Sequence, residues 1–302
     1  MNQQFLTELK AVTAENRIFT DEPMKKHTTF RVGGPADILV QPKGTELAAV
    51  IRLCRKYDVP YQVIGNGSNL LVGDRGIRGL VIEMLSKEDE ICVEDDCITV
   101  GAGMLLSKTA NRAADHGLTG MEFAAGIPGS IGGAVVMNAG AYGGEMKDIL
   151  TAVTVLDQEG NEKILSAEEL ELGYRTSCIL KKGYIVTGAK IKLKHGEETA
   201  IRARMEELKK QRVEKQPLEF PSAGSTFKRP EGYFAGKLIM DAGLRGYQVG
   251  DAQVSEKHCG FVINRGNATA ADVRTLMQNV SDIVEEKFDV RLEPEVKITG
   301  EF

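Results

Sequence analysis

Residues 61–72 read YQVIGNGSNLLV, and residues 126–143 read GIPGSIGGAVVMNAGAYG. In the first stretch an apolar strand runs into Gly65-Asn66-Gly67-Ser68-Asn69 and continues into a second strand at 70–72. The second stretch holds six glycines in eighteen residues. Without a Cβ, glycine lets backbone N–H groups turn toward a bound anion and approach it closely. Two such loops suit the cradling of a pyrophosphate. Neither has a known phosphate-binding spacing. GNGSNL lacks the third glycine of GxGxxG and leads into a strand rather than a helix, and GIPGSIGG is not followed by GK[ST]. A Rossmann dinucleotide domain and a P-loop are therefore disfavoured. On spacing alone, tight turns and close helix packing explain these glycines equally well.

Working outward, 5–12 reads as an amphipathic helix and 37–41 as a strand. Thr45 reads as the cap of a helix carrying Leu47, Val50, Ile51, Cys54 and Tyr57 on one face. Strands at 60–64 and 80–83 complete a β–α–β order. Beyond about 91, short strands at 98–100, 153–156 and 185–193 surround a helix at 105–116, the pattern of a separate α+β lobe. The segment 197–216 is a charged helix that stops at Pro217. Its charges read as a solvated face with pairs such as Glu206–Lys210. Thr269 and Asp272 form a capping box before a helix whose Val273, Leu276, Met277, Val280, Ile283, Val284 and Phe288 face a core.

The chain has 302 residues, of which 42% are hydrophobic and 27% charged, and a net charge of -5. Such a chain makes two or three globular domains. With no basic face, nucleic acid and anionic membrane are not expected partners. No apolar run is long enough for a membrane helix or a secretion leader. Cysteines at 54, 92, 97, 178 and 259 are odd in number and form no CxxC pair, which argues against a disulfide framework or a zinc site. His27, His116, His195 and His258 stand in no ligand spacing, so no metal is expected. The compartment implied is the cytoplasm.

Five segments, taken in order, carry a resemblance. They are IGNGSNLLV (64–72), GIPGSIGGAVVMNAGAYG (126–143), GYRTS (173–177), AGSTFKRP (223–230) and LEPEV (292–296), preceded by HTTFRVGG at 27–34. Together they resemble the flavin fold of the vanillyl-alcohol oxidase and p-cresol methylhydroxylase superfamily. More narrowly, they resemble the bacterial UDP-N-acetylenolpyruvoylglucosamine reductases, in a shorter subfamily without an inserted tyrosine loop. The resemblance implies an α+β protein with a two-lobed FAD-binding domain and a C-terminal α+β substrate-binding domain. Its boundaries would be an N-terminal helix at 1–24, FAD lobes at 25–90 and 91–195, and a substrate domain at 196–302. The last strand is free to return to the first lobe.

The family's flavin contacts fall on Gly65, Asn66, Gly67, Ser68 and Asn69, and on Gly126, Ile127, Gly132, Gly133, Val136, Asn138, Ala139 and Gly140. Related oxidases carry a flavin-linked histidine in the first loop, and this chain has none, so non-covalent FAD is implied, with NADPH as hydride donor. The resemblance makes Ser225 the proton donor to an enolate formed from UDP-N-acetylglucosamine enolpyruvate, and gives Arg175 and Glu295 its stabilisation. Arginine presents a fixed fork of donors to a carboxylate. A glutamate helps there only when protonated or when it orients other donors, which calls for burial. Lys215, Arg229, His258 and Tyr174 match substrate-contact positions. Arg229 and His258 stand where other members have asparagine and glutamine. Two other readings stay open: an oxidase of a sugar or lactone, and a non-catalytic flavin subunit that passes electrons to a partner.

Overall fold

The computed structural model describes residues 3–84 and 91–302. The expected break between the FAD lobes, at 90/91, borders residues 85–90, which lie outside the described residues. The chain divides into two compact units. The larger comprises Met1–Phe19, Ile38–Asn66 and Gly79–Arg212, and the smaller comprises Thr20–Asp37, Gly67–Arg78 and Val213–Phe302. The units are thus not consecutive stretches of chain. Residues 20–37 and 67–78 cluster with the C-terminal segment, and the charged helix stays with the larger unit up to Arg212 rather than opening the second domain at 196.

Helices α1 (Gln3–Val12) and α2 (Gly44–Lys56) cover the strands of the larger unit's first core. Phe5, Leu9, Leu47, Val50 and Ile51 pack there with Ile38, Val40, Leu80 and Ile82. Tyr61–Ile64 pairs in parallel with residues 80–83. The α2 helix starts earlier than the sequence suggests. Its first residue is Gly44 and its cap is Lys43, whose N–H donates to the Glu46 carboxylate at 2.9 Å. Thr45 lies inside the first turn, because a carboxylate at the third helical position satisfies the free amide better than a hydroxyl one residue late.

The second core of this unit is a five-stranded antiparallel sheet. Its order is Glu162–Ser166, Leu150–Leu156, Ile185–Lys192, Cys97–Gly101, Ile91–Glu94. Against it pack α3 (Leu106–Asp115), α4 (Ile131–Val136) and α5 (Cys178–Lys182). On α3 the buried positions are Leu106, Thr109, Ala110, Ala113 and Ala114, a helical stripe of small residues that allows close approach to the sheet. Helix α6 (Glu198–Lys215) buries only Ile201 and Leu208. Most of its other residues are exposed, with pairs Arg202–Glu198 and Arg204–Glu207, and Glu206 meets Lys209 at 3.5 Å rather than Lys210.

In the smaller unit an antiparallel sheet runs Ser222–Ser225, Phe261–Asn264, Ala252–Val254, Gln248–Val249. Helices α7 (Ala235–Asp241) and α8 (Ala270–Phe288) pack with it around Leu238, Ile239, Val262, Val273, Leu276 and Val280. The capping box on α8 is formed: the Thr269 hydroxyl accepts from Asp272 N–H at 3.0 Å, and Asp272 accepts from Thr269 N–H at 2.9 Å. Asp74 accepts from Ala270 and Ala271 N–H at 2.7 and 2.9 Å, adding a negative charge at the positive end of the helix. The final strand, Lys297–Thr299, lies parallel to Leu70–Val72. Among the described residues no helix is long and apolar enough to cross a membrane.

Candidate active site

In the larger unit the two glycine segments meet. Asn66 Nδ2 donates to the Pro128 carbonyl at 2.6 Å across 62 positions of sequence. A Cβ on Gly65 would stand 2.1 Å from Ser130 Oγ, so only glycine lets the first loop come this close to the second. Ser130 caps α4 by accepting from Gly133 N–H. The second loop hangs on residues 102–106 through Leu106 N–H to Gly129 O, Ile131 N–H to Met104 O and Gly132 N–H to Ala102 O, at 2.8–2.9 Å.

The glycines of 126–140 divide by role. A Cβ on Gly132 would sit 3.0 Å from Ala102 Cβ, and one on Gly140 would sit 2.7 Å from Glu145 Cβ. Both serve close packing, the bland alternative that spacing had left open. Gly126 and Gly133 instead present exposed backbone. Ile127, Val136 and Ala139 are partly buried against the second core. Asn138 is fully buried, and its side chain bonds Glu145, Gly173 and Lys147.

Beside Gly126 stands a residue the sequence did not single out. A Cβ on Gly126 would be 3.2 Å from Arg212 Cδ and 3.5 Å from one of its terminal nitrogens. Among the described residues no carboxylate pairs with this guanidinium, and burial lowers its pKa from the usual arginine range. A half-buried cation without a carboxylate partner, against an exposed glycine backbone, fits an anion such as the diphosphate of FAD. In sequence, Arg212 is one more charge in a charged helix. Only desolvation sets it apart.

The smaller unit fixes the rest of the first loop. Gly67 adopts φ 59°, and a Cβ there would lie 1.9 Å from His27 O, which makes glycine obligatory. Its carbonyl accepts from Thr29 N–H at 3.2 Å. Ser68 follows, half-buried. Asn69 Nδ2 donates to Glu295 O at 3.2 Å, and its carbonyl accepts from Lys297 N–H at 2.9 Å.

Ser225 and Glu295 share this unit. Thr226 O accepts from Glu295 N–H at 2.8 Å, Lys228 N–H donates to Glu293 O at 2.8 Å, and Phe227 bridges Pro294. On the other side Thr226 N–H donates to Gly260 O, and its hydroxyl accepts from Val262 N–H, each at 2.9 Å. The buried Thr226 therefore holds three backbone segments together and leaves Ser225 exposed at the strand end beside them. Glu295 is half-buried, less enclosed than its expected role suggested.

His258 lies on the third of these segments, with its ring edge-on to Phe261 at 5.0 Å. Burial pushes its pKa down, so the ring is neutral near pH 7. Gly260 N–H donates to Nδ1 at 3.1 Å, which leaves the proton of the neutral ring on Nε2. The Arg229 guanidinium stacks on the exposed Phe234 ring at 4.0 Å. Lys215 is the exposed last residue of α6.

In the larger unit Arg175 and the exposed Tyr174 occupy the tip of a tight turn, the guanidinium 5.1 Å over the Tyr174 ring. Gly173 and Thr176 exchange backbone hydrogen bonds at 3.1 and 3.3 Å to close it.

These features are those of a flavin-dependent oxidoreductase: residues 36–166 match the FAD binding domain family. Residues 216–299 match the C-terminal domain of UDP-N-acetylenolpyruvoylglucosamine reductase. The UDP-N-acetylenolpyruvoylglucosamine reductase of Agathobacter rectalis is 56% identical, with 100% of both chains covered. That of Clostridium perfringens is 53% identical over 99% of each. The crystal structure of the Thermus caldophilus enzyme is similar at a TM-score of 0.77 and 40% identity, covering 91% of this chain and 97% of that one. The chain belongs to the UDP-N-acetylenolpyruvoylglucosamine reductase family.

Proposed function

We infer that the chain is an NADPH-dependent flavoprotein that reduces UDP-N-acetylglucosamine enolpyruvate to UDP-N-acetylmuramate, a peptidoglycan precursor, in the cytoplasm. FAD, when bound, supplies the hydride that the enolpyruvyl group takes up. The chain's own residues bind, orient and protonate. Gly65, Asn66 and the exposed backbone of Gly126 and Gly133 admit the cofactor, and Arg212 offers positive charge to its diphosphate. The Ser225 hydroxyl gives its proton to the carbon beside the substrate carboxylate, where negative charge collects. Arg175 provides a planar pair of donors for that carboxylate. Glu295 lies on the backbone next to Ser225 and holds polarity there. His258 Nε2–H, Arg229 and Lys215 serve the nucleotide, with the neutral histidine acting as a donor and the other two as charges.

The observation that carries this reading is the clamping of AGSTFKRP onto LEPEV through Thr226, which sets a hydroxyl and a carboxyl on adjacent backbones. Anaerobic bleaching of the flavin by NADPH, followed by recolouring on addition of the enolpyruvyl nucleotide, tests it. Recolouring by oxygen alone, at a rate the nucleotide does not change, would support an oxidase instead.

A further inference from the structure

The resemblance puts Asn138 among the cofactor contacts, and its surroundings point to a different task. It is fully buried, with φ 42°, in the left-handed region that asparagine tolerates better than most residues. Nδ2 donates to Glu145 Oε2 at 2.7 Å and to Gly173 O at 3.1 Å, and Oδ1 accepts from Lys147 N–H at 2.9 Å. Both amide protons and one acceptor site are thereby engaged, so no donor is left for a ligand. Two positions earlier, Val136 O accepts from the Ser177 hydroxyl at 2.8 Å. Gly173 and Ser177 are the two feet of the turn that carries Arg175, and both are fastened to the same three residues, 136–138.

That fastening matters because of Arg175 itself. It has φ 54°, a left-handed conformation that residues with a Cβ rarely adopt. Such a backbone persists only where its surroundings over-determine it, and the direction of the side chain is set along with it. The reciprocal bonds between Gly173 and Thr176 close the turn, but they do not orient it on the protein. Orientation comes from Asn138 at one foot and Ser177 at the other. We propose that Asn138 is a positioning residue for Arg175: it aims the guanidinium at the substrate carboxylate by holding Gly173 and does not contact FAD. The proposal rests on the role given to Arg175 above.

The test is a double-mutant cycle between Asn138→Gly and Arg175→Ala, read on each half-reaction separately. Glycine accepts the left-handed backbone, so Asn138→Gly removes the side-chain bonds without adding strain. In the wild-type background it should leave FAD affinity and flavin reduction by NADPH within about threefold. It should slow reoxidation by the enolpyruvyl nucleotide about tenfold or more, the scale on which small misplacements act. In the Arg175→Ala background the same change should cost under about twofold, because there is no guanidinium left to misplace. Equal slowing with and without Arg175 would overturn the proposal, as would loss of FAD from Asn138→Gly. Arg175→Ala alone reports on the reading beneath it: a wild-type reoxidation rate would remove Arg175 from the reaction, and the proposal with it. Ser177→Ala, which cuts only the other foot, provides a milder variant should Asn138→Gly fold poorly. It should show the same dependence on Arg175, and a slowing independent of Arg175 would refute the shared anchoring.

Discussion

Replacing Arg212 by methionine separates binding from stability, because the two should move in opposite directions. The guanidinium lies against Gly126 and near Tyr142, pays for its burial with a lowered pKa, and has no carboxylate partner among the described residues. Methionine matches its unbranched stem and brings no charge. A charge-assisted hydrogen bond to a buried anion contributes about 1.5–3 kcal/mol. Its loss should therefore weaken FAD binding by about 10- to 100-fold. Without FAD, removing a half-buried charge that has no carboxylate partner is neutral or stabilising. The apoprotein should thus melt at the same temperature or higher. Arg212→Lys keeps the charge but not the fork and should fall between the two. Flavin fluorescence titration gives the affinity, and thermal unfolding of the flavin-free protein gives the stability. A destabilised apoprotein whose FAD affinity is within twofold of wild type would show that Arg212 is a packing residue and refute the reasoning.

Three further outcomes are expected. Ser225→Ala should be bleached by NADPH at nearly the wild-type rate but reoxidised by the enolpyruvyl nucleotide about 10²-fold more slowly, with partial recovery in Ser225→Cys; equal slowing of both halves in rapid mixing would make the serine structural. Gly65→Ala should force the Ser130 hydroxyl aside, loosening the α4 cap at a cost of about 1 kcal/mol and weakening FAD retention, and unchanged flavin content after gel filtration would remove that contact from the site. His258 has a folded pKa below its unfolded value of about 6.5. Its neutral form is favoured by folding, so its stability contribution is present above that value and is lost as pH falls toward the folded pKa. Melting temperatures should therefore shift in favour of His258→Gln between pH 7.5 and pH 5, and a difference that stays constant with pH would contradict the burial argument.

The sequence by itself determined what is encoded locally. The apolar stripe and capping box of α8 stand where periodicity put them. Leu70–Val72 is a strand directly after GNGSN. The glycine loops were legible because an absent Cβ is visible in the letters alone. The start of α2 lies at Gly44 rather than after a Thr45 cap, because only the backbone shows which amide Glu46 reaches. Tertiary structure decided the rest. It drew 20–37 and 67–78 into the unit of the C-terminal segment. It turned Gly132 and Gly140 into packing positions, tied Asn138 to the turn of Arg175, and half-buried Arg212 with no carboxylate beside it. Such roles depend on which distant segments meet and which charges lose water. Desolvation and long-range hydrogen bonds are properties of an assembled neighbourhood, and no local spacing of residues records them.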